Sequence, residues 1–302
     1  MFNKDLKAQF IRDCAGSDFT IMKICHSVFS FTENFENVWG ADIYTRDAED
    51  LRPIFSHLTG VRANRYRRVI ILRRYLIWCY SNGIEGARDE YKKVEMPEID
   101  DMKKKTVISS KQLQNYLDQI FEPEGEQMVD NVLRCFCWLA FIGVDKTKVM
   151  EVQASDVDLI RRKVYFNNGE YNICREAMPA FRNCVTLTKF AKIEANGRIS
   201  FRDRVNTGHL LRGIRKLPAF DTLATTLSDV IGKAYNKGYI NKRLSYDRIW
   251  LSGLFCRTYS REVVGDIVDF SDVAALYHNS REQKRATAIY TFDYEVWKAT
   301  FE

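Results

Sequence analysis

Apolar residues recur at helical intervals along the first third of the chain. They do so from Asp5 to Asp13 and from Phe19 to Phe31, where Asp18 or Thr20 could cap the second helix. A third helix is predicted from a cap at Asn64 to about Tyr80. Its apolar side carries Val69, Leu72, Leu76 and Cys79. The pattern predicts a helical domain over residues 1–92.

Helical periodicity returns after residue 109. Ser109 and Gln112 form a Ser-x-x-Gln capping box, and apolar residues then follow at helical spacing to Phe121. Residues 127–142 are apolar on nearly every side, which is typical of a buried helix, and Gly143 suits its end. Between the two domains, residues 93–108 contain Pro97 and a charged run from Glu98 to Lys105, which predicts a linker.

Alternating apolar positions appear later in the second domain. Lys163–Phe166 and Glu170–Cys174 flank Asn167-Asn168-Gly169, a strong signal for a β-hairpin. Cys184–Thr188 could add a third strand, and helices are predicted over Gly208–Leu217 and Phe220–Asn236. The predicted fold class is therefore mostly α with a small antiparallel β-sheet, and the second domain spans residues 109–302.

Composition narrows the class of protein. A chain of 302 residues has room for two domains, and a net charge of +6 permits a polyanionic partner. No apolar run reaches the roughly 18 residues of a membrane span, so we expect a cytoplasmic protein. The eight cysteines form no Cys-x-x-Cys pair, and Cys135 and Cys137 lie in the apolar run. We interpret them as reduced core residues.

One stretch of the first domain is strongly basic. From Arg52 to Ile84 the sequence has no carboxylate, and arginines alternate with Tyr66, Tyr75, Trp78 and Tyr80. This pattern favours a helix laid against a phosphate backbone. The alternative is a solvated face whose arginines pair with acids among residues 42–50. The candidate DNA-binding residues here are Arg62, Arg65, Arg67, Arg68, Arg73 and Arg74.

Two further basic groups are candidates for DNA binding. The run Lys103, Lys104 and Lys105 closes the predicted linker, and residues 198–216 contain many arginines with Asp203 as their only acid. In each case a solvated surface is the alternative. The candidates in the second group are Arg198, Arg202, Arg204, Arg212, Arg215 and Lys216.

Several motifs in the second domain resemble the tyrosine recombinase (phage integrase) family. Gly143-Val144-Asp145 through Val152 matches that family's Gly-Leu-Arg-x-Ser-Glu-Leu-x-x-Leu segment, and Ser155-Asp156-Val157-Asp158 and the hairpin follow without a gap. Later, Ser252–Tyr259, His278 and Tyr290 fall in the order of the family's His-x-x-Arg box, second His or Trp, and nucleophilic Tyr. The resemblance implies a helical core-binding domain followed by an α+β catalytic-type domain.

The same resemblance implies that the catalytic set is degraded. Attack by a tyrosine on a phosphodiester places negative charge on nonbridging oxygens, and the family stabilises it with two arginines and a hairpin lysine. Here Asp145 replaces the first arginine, no lysine occurs from Asn167 to Cys174, and Ser252 and Phe255 replace the box's His and Arg. Shifting the register by two residues would instead offer Arg257. A second match to His-x-x-Arg, at His209–Arg212, lies too far before Tyr290 to fit the family spacing.

The expected function is sequence-specific binding of double-stranded DNA by a repressor without recombinase activity. Within the family, the chain resembles the integrase-like repressors of SPbeta-like Bacillus phages, which implies a bacterial host and association with the nucleoid. Two alternatives stay open: an active recombinase that uses Tyr290, and a scaffold for an acidic protein. We expect no cofactor and no metal. The tail could join copies of the chain through Tyr294, Val296, Trp297 and Phe301 or pack on its own chain.

Overall fold

The computed structural model describes most of the chain. The described residues are 2–15, 19–58, 62–94, 97–121, 127–193, 196–213, 216–280 and 282–301, with the backbone alone at 20, 62–66, 97, 98, 100, 127–129, 192 and 193. The possible caps Asp18 and Thr20 and the candidates Arg62, Arg65 and Arg215 therefore lie, wholly or in their side chains, outside the description. Among the described residues, no helix combines the length and apolarity needed to cross a membrane.

Helices make up most of the structure. They are α1 (Lys4–Ala15), α2 (Phe19–Trp39), α3 (Ala48–His57), α4 (Arg62–Ser81), α5 (Pro97–Lys105), α6 (Ser110–Ile120), α7 (Gln127–Ile142), α8 (Met178–Thr186), α9 (Phe220–Asn236), α10 (Tyr246–Val263), α11 (Ser271–Tyr277) and α12 (Gln283–Lys298). The strands are β1 (Val157–Asp158), β2 (Lys163–Phe166), β3 (Gly169–Asn172), β4 (Lys189–Ile193) and β5 (Ile199–Asp203). The predicted fold class is confirmed.

The strands form two small antiparallel sheets. In the first, with order β1-β2-β3, Val157 pairs with Val164 and Val164 pairs with Tyr171. The turn between β2 and β3 places Asn167 and Asn168 at positive φ, as the sequence predicts for this turn type. The second sheet is the hairpin of β4 and β5, in which Ala191 pairs with Phe201.

The chain divides into two compact units. The first contains residues 1–100 and 269–300, and the second contains residues 101–268 with Phe301. Residues 269–300, which the sequence assigned to the second domain, thus belong to the first unit. The segment predicted as a linker contains α5, because Ile99 and Met102 are buried at 3% and 7% exposure.

In the first unit α4 is buried on several sides. Four consecutive residues, Val69 to Leu72, are buried, as are Tyr75 and Leu76. The apolar side is therefore wider than predicted, and the helix begins at Arg62, so Asn64 is inside it and is not its cap. Helix α12 contacts α4, and Tyr294, Val296 and Trp297 are buried in this unit. These three tail residues thus pack on their own chain.

Helices α7 and α10 form the centre of the second unit. They approach so closely at Gly253 that a Cβ there would lie 1.8 Å from the carbonyl oxygen of Phe141. Cys135 and Cys137 on α7 are fully buried and all eight cysteines are free, as predicted. The predicted cap of α6 is present, since the hydroxyl of Ser109 accepts from the amide of Gln112 at 3.1 Å.

Two predicted elements of the second unit are wrong. Cys184–Thr188 is not a strand: residues to Thr186 belong to α8, because Ala180, Phe181 and Cys184 are buried at helical spacing. The helix predicted over Gly208–Leu217 does not form in the described residues 208–213 and 216–217. There the amide of Leu210 donates to Val152 and the amide of Ala154 donates to Gly208, both at 2.8 Å, so this segment lies extended beside residues 152–154.

Candidate nucleic-acid interface

The segment after α7 lies beside an arginine of α10. Gly143 has a φ of +101°, and a Cβ added there would lie 2.5 Å from Nη2 of Arg257. The guanidinium also donates to the carbonyl oxygen of Phe141, which lies two residues earlier in the last turn of α7. Gly143 is thus required twice, for its left-handed backbone and for the close approach of Arg257.

Asp145 lies two residues after Gly143, and its carboxylate accepts hydrogen bonds from within its own turn. Its Oδ1 accepts from the amide of Thr147 at 2.8 Å and from the hydroxyl of Thr147 at 2.9 Å. Two charged groups act on Tyr171 of β3. Burial and the negative charge of Asp145 raise the pKa of the Tyr171 hydroxyl, and the positive charge of Arg257 opposes this rise. The structure therefore brings together Asp145, Tyr171 and Arg257.

Ser252 and Phe255, the other two expected box positions, do not face this place. Ser252 is fully buried, and its hydroxyl donates to the carbonyl of Arg248 at 2.7 Å and accepts from the amide of Val107 at 3.1 Å. Phe255 is also fully buried. This face of α10 lies in the core, and the assignment of these two residues as former active-site positions stays a prediction. Arg257, two residues further along, is the position that lies at Gly143.

The hairpin contains a lysine that the sequence comparison missed. Lys163 lies on β2, before the turn, and pairs in register with Asn172. Its amine bonds to Glu170, which raises the pKa of the lysine. The basic character of the hairpin is reduced because this cation is matched by a carboxylate.

Tyr290 and His278 belong to the first unit. Their ring centroids are 6.3 Å apart, and Tyr290 lies equally far from the ring of buried Phe270. Both side chains are half-buried. Asp145 and Arg257 belong to the second unit, so neither unit by itself contains all the positions that the recombinase resemblance assigns to catalysis.

Two arginines of α4, Arg73 and Arg74, contact neighbours in the first unit. Arg74 forms an ion pair with Glu295 of α12, with 29% of each side chain exposed. The guanidinium of Arg73 lies 5.7 Å from the ring centroid of Tyr91, and Arg67 and Arg68 are half-buried. Of the acids at 42–50, Asp50 contacts Arg46 at 3.7 Å, and Arg46 is not one of the candidate arginines. Partial burial leaves each of these candidates less surface for a phosphate than an exposed arginine has.

Arg204 is not a DNA contact, contrary to prediction. It is only 7% exposed, and its guanidinium donates to the carbonyls of Cys184 at 2.7 Å, Leu187 at 2.9 Å and Leu210 at 3.1 Å. Burial lowers its pKa. Arg212 is half-buried and donates to the same carbonyl of Cys184 at 3.2 Å. These two arginines connect α8 to the segments around it.

Other basic candidates in the second unit are open to solvent. Arg198, Arg202 and Lys216 are exposed, as are Lys103 and Lys104. Lys105 is half-buried and bonds to Asp101 one turn back on α5. The exposed cations of residues 198–216 thus lie beside two arginines that serve the fold.

Comparisons with known proteins give structural similarities only. No protein-family model matches the chain, and no curated protein is similar to it. Among solved structures it is similar to the XerA recombinase, with 11% identity, a TM-score of 0.38, and coverage of 97% of this chain and 92% of that one. It is similar to the integrase from mycobacterium phage Brujita, with 14% identity, a TM-score of 0.32, and coverage of 99% and 92%. It is also similar to the Tn1549 transposon integrase in complex with transposon right end DNA, with 12% identity, a TM-score of 0.38, and coverage of 93% of this chain and 96% of that one. TM-scores of this size do not establish a shared fold.

Proposed function

We propose that this chain is a sequence-specific double-stranded DNA-binding protein, a phage repressor with a tyrosine-recombinase-like fold that does not cleave DNA. The observation that supports this best is Asp145. It occupies the position at which the family resemblance requires an arginine, and it lies beside Gly143 and Tyr171 in the place that Arg257 also reaches.

The lack of cleavage follows from the charge of that carboxylate. A phosphodiester under attack gains negative charge on its nonbridging oxygens, and the loss of one preorganised donor costs on the order of 3 kcal/mol. A carboxylate in the donor's place adds repulsion to that loss. Asp145 is half-buried and fixed by Thr147, so moving it away would break two hydrogen bonds.

DNA binding is supported by exposed cations on the second unit. Arg198, Arg202, Lys216, Lys103 and Lys104 can each approach a phosphate. Neutralising phosphates releases counterions, so binding that depends on these residues must weaken as salt rises. The repressor role follows from binding without cleavage, because a protein that only occupies an operator can control transcription through that occupancy.

Titration of the full chain with duplex DNA at several salt concentrations tests the proposal. With about six phosphates engaged, the logarithm of the affinity should fall linearly with the logarithm of salt concentration, with a slope of about −5. Affinity that does not change with salt would remove DNA binding. Binding of an acidic protein without any binding of random duplex at low salt would support the scaffold alternative.

An active recombinase is the second candidate, favoured by the position of Arg257 and by Lys163 on the hairpin. A duplex with a nick near the scissile phosphate traps a recombinase as a covalent adduct, because the cleaved fragment diffuses away. We expect no adduct with the wild-type chain on DNA that it binds. An adduct that disappears in Tyr290→Phe would contradict the proposal and establish the enzyme.

A further inference from the structure

The hairpin of β4 and β5 has one apolar face turned to solvent. Phe190 is 3% exposed, and its ring lies 5.1 Å from the buried guanidinium of Arg204. Residues on the opposite side of the pleat point away from the unit: Phe201 is 69% exposed and Ile199 is 56% exposed. Because side chains alternate along a strand, these two residues and Ala191, the register partner of Phe201, share the outer face.

Cations surround this outer face. Arg198 precedes β5 and is exposed. Arg202, within β5, is the register partner of Phe190 and starts from the opposite face of the pleat, where it is also exposed. Lys189 at the start of β4 contacts Asp203 at 3.7 Å with both side chains more than half exposed. In residues 187–218 the acids are Glu194 and Asp203, whereas the basic residues are Lys189, Lys192, Arg198, Arg202, Arg204, Arg212, Arg215 and Lys216. An apolar patch in a basic surround complements a polyanion that also offers apolar contacts.

Duplex DNA has that chemistry in its major groove. The groove is about 12 Å wide and admits a two-stranded ribbon, whose strands lie about 4.8 Å apart. Thymine places a methyl group there, and the phosphates form both edges. A single-stranded or flat polyanion lacks a slot of this width.

We propose that the outer face of the β4–β5 hairpin enters the major groove, where Phe201 and Ile199 contact base edges at thymine methyls and Arg198 holds a flanking phosphate. This inference rests on the proposed function, because it names the part of the chain that reads sequence. A second copy of the chain fits the same face less well. Two such faces packed by a two-fold axis would bring Arg198 close to the same cation of the partner.

The test begins with selection of preferred duplexes from a random library by the full wild-type chain. Phe201→Ala should then lose about fivefold or more in affinity for the selected duplex, because an apolar base contact is gone. Its affinity for random duplex should stay within about twofold, since non-specific binding is carried by phosphate contacts. Replacing the contacted thymines by uracil removes only the methyl groups, and it should weaken the wild type while leaving Phe201→Ala unchanged.

Phe19→Ala is the matched control. Phe19 is 64% exposed, nearly as exposed as Phe201, and belongs to the first unit. It should bind both duplexes as the wild type does. Sedimentation velocity of Phe201→Ala, compared with the wild type, shows whether the substitution changes self-association.

The outcomes separate this inference from the proposed function. If the wild type fails to bind random duplex at low salt, the proposed function itself is lost. If the wild type binds DNA but selects no sequence, or if Phe201→Ala matches it on the selected duplex, the hairpin does not read bases and the inference is overturned. A Phe201→Ala chain that loses self-association with unchanged DNA affinity would overturn it too, because the face would then bind a second copy.

Discussion

Among the described side chains, the first unit fully buries Lys7 and the second buries Arg204, and the two units stabilise these cations in different ways. In the first, Lys7 is fully buried and its amine bonds both carboxylate oxygens of Glu36 at 2.6 Å, with Asp42 at 3.5 Å. In the second, Arg204 is bonded to backbone carbonyls of residues around α8. The first cation is bonded to carboxylates, which titrate at acid pH, whereas the second is bonded mainly to carbonyls, which do not titrate, and also lies near the thiol of Cys184.

Burial decides whether a basic residue of this chain can contact a nucleic acid. Both cations count toward the net charge, yet neither is available to a phosphate. The Lys7 cluster also uses α4, since the hydroxyl of Tyr75 donates to Asp42 at 3.1 Å. The arginine-rich helix of the first unit thus contributes to the core as well as to the surface. The exposed cations of the second unit are the better candidates for DNA contact.

Lys7→Met should cause the largest change. It leaves Glu36 and Asp42 buried without a cation, and breaking a buried pair in this way costs about 3–5 kcal/mol. The loss should appear at pH 7 as reduced hydrogen-exchange protection of α1 and α2. It should shrink toward pH 4, where protonation removes the uncompensated charges. Lys4→Met, at an exposed position of α1, is the control; an equal effect of both substitutions would mean that the cluster does not stabilise the unit.

Arg204→Met should destabilise the second unit by about 3 kcal/mol, because several buried carbonyls lose a charged donor. Since carbonyls do not titrate, the loss should be the same at pH 4 and pH 6, a range over which that of Lys7→Met should grow. Urea unfolding at the two pH values measures it. Arg202→Met, an exposed neighbour, should stay within about 0.5 kcal/mol of the wild type. A strongly pH-dependent loss at Arg204 would contradict the comparison.

Two carboxyl groups of the first unit should contribute to the wild-type pH dependence of stability. Burial raises the pKa values of Glu36 and Asp42 above 4.5 and 3.8, while Lys7 opposes the shift. The unfolded chain therefore releases these two protons at lower pH than the folded chain does. Their contribution to stability is greatest below pH 4 and falls as the pH rises through the folded pKa values. Unit-resolved hydrogen exchange that shows the opposite slope for α1 and α2 would contradict this account.

The smallest predicted effect concerns the ion pair of Arg74 and Glu295. A double-mutant cycle with Arg74→Ala and Glu295→Ala should give a coupling energy of about 0.5–1 kcal/mol, because both side chains are partly solvated. Glu295→Ala should also strengthen non-specific DNA binding slightly if it frees Arg74 for a phosphate. A coupling energy of zero would show that the pair does not hold α12 on α4.

Much of the helical structure could be predicted from the sequence because the signals are local. Helices α6, α7 and α9 and the hairpin of β2 and β3 follow from periodicity, a cap and an Asn-Asn-Gly turn. The orientation of α10 could not, since its close contact with α7 at Gly253 decides that Ser252 and Phe255 are buried and that Arg257 reaches Gly143. The burial of Arg204 could not be predicted from the sequence either, because its hydrogen-bond acceptors are backbone carbonyls, which every residue carries.

The central claim is that this chain binds duplex DNA through exposed cations and does not cleave it. Its most direct test is one titration series of the full chain with a nicked duplex carrying a selected site, at several salt concentrations, followed by denaturing electrophoresis. We expect binding that weakens steeply as the salt concentration rises, and no protein–DNA adduct that survives denaturation. Binding that is indifferent to salt, or an adduct that is absent in Tyr290→Phe, would contradict it.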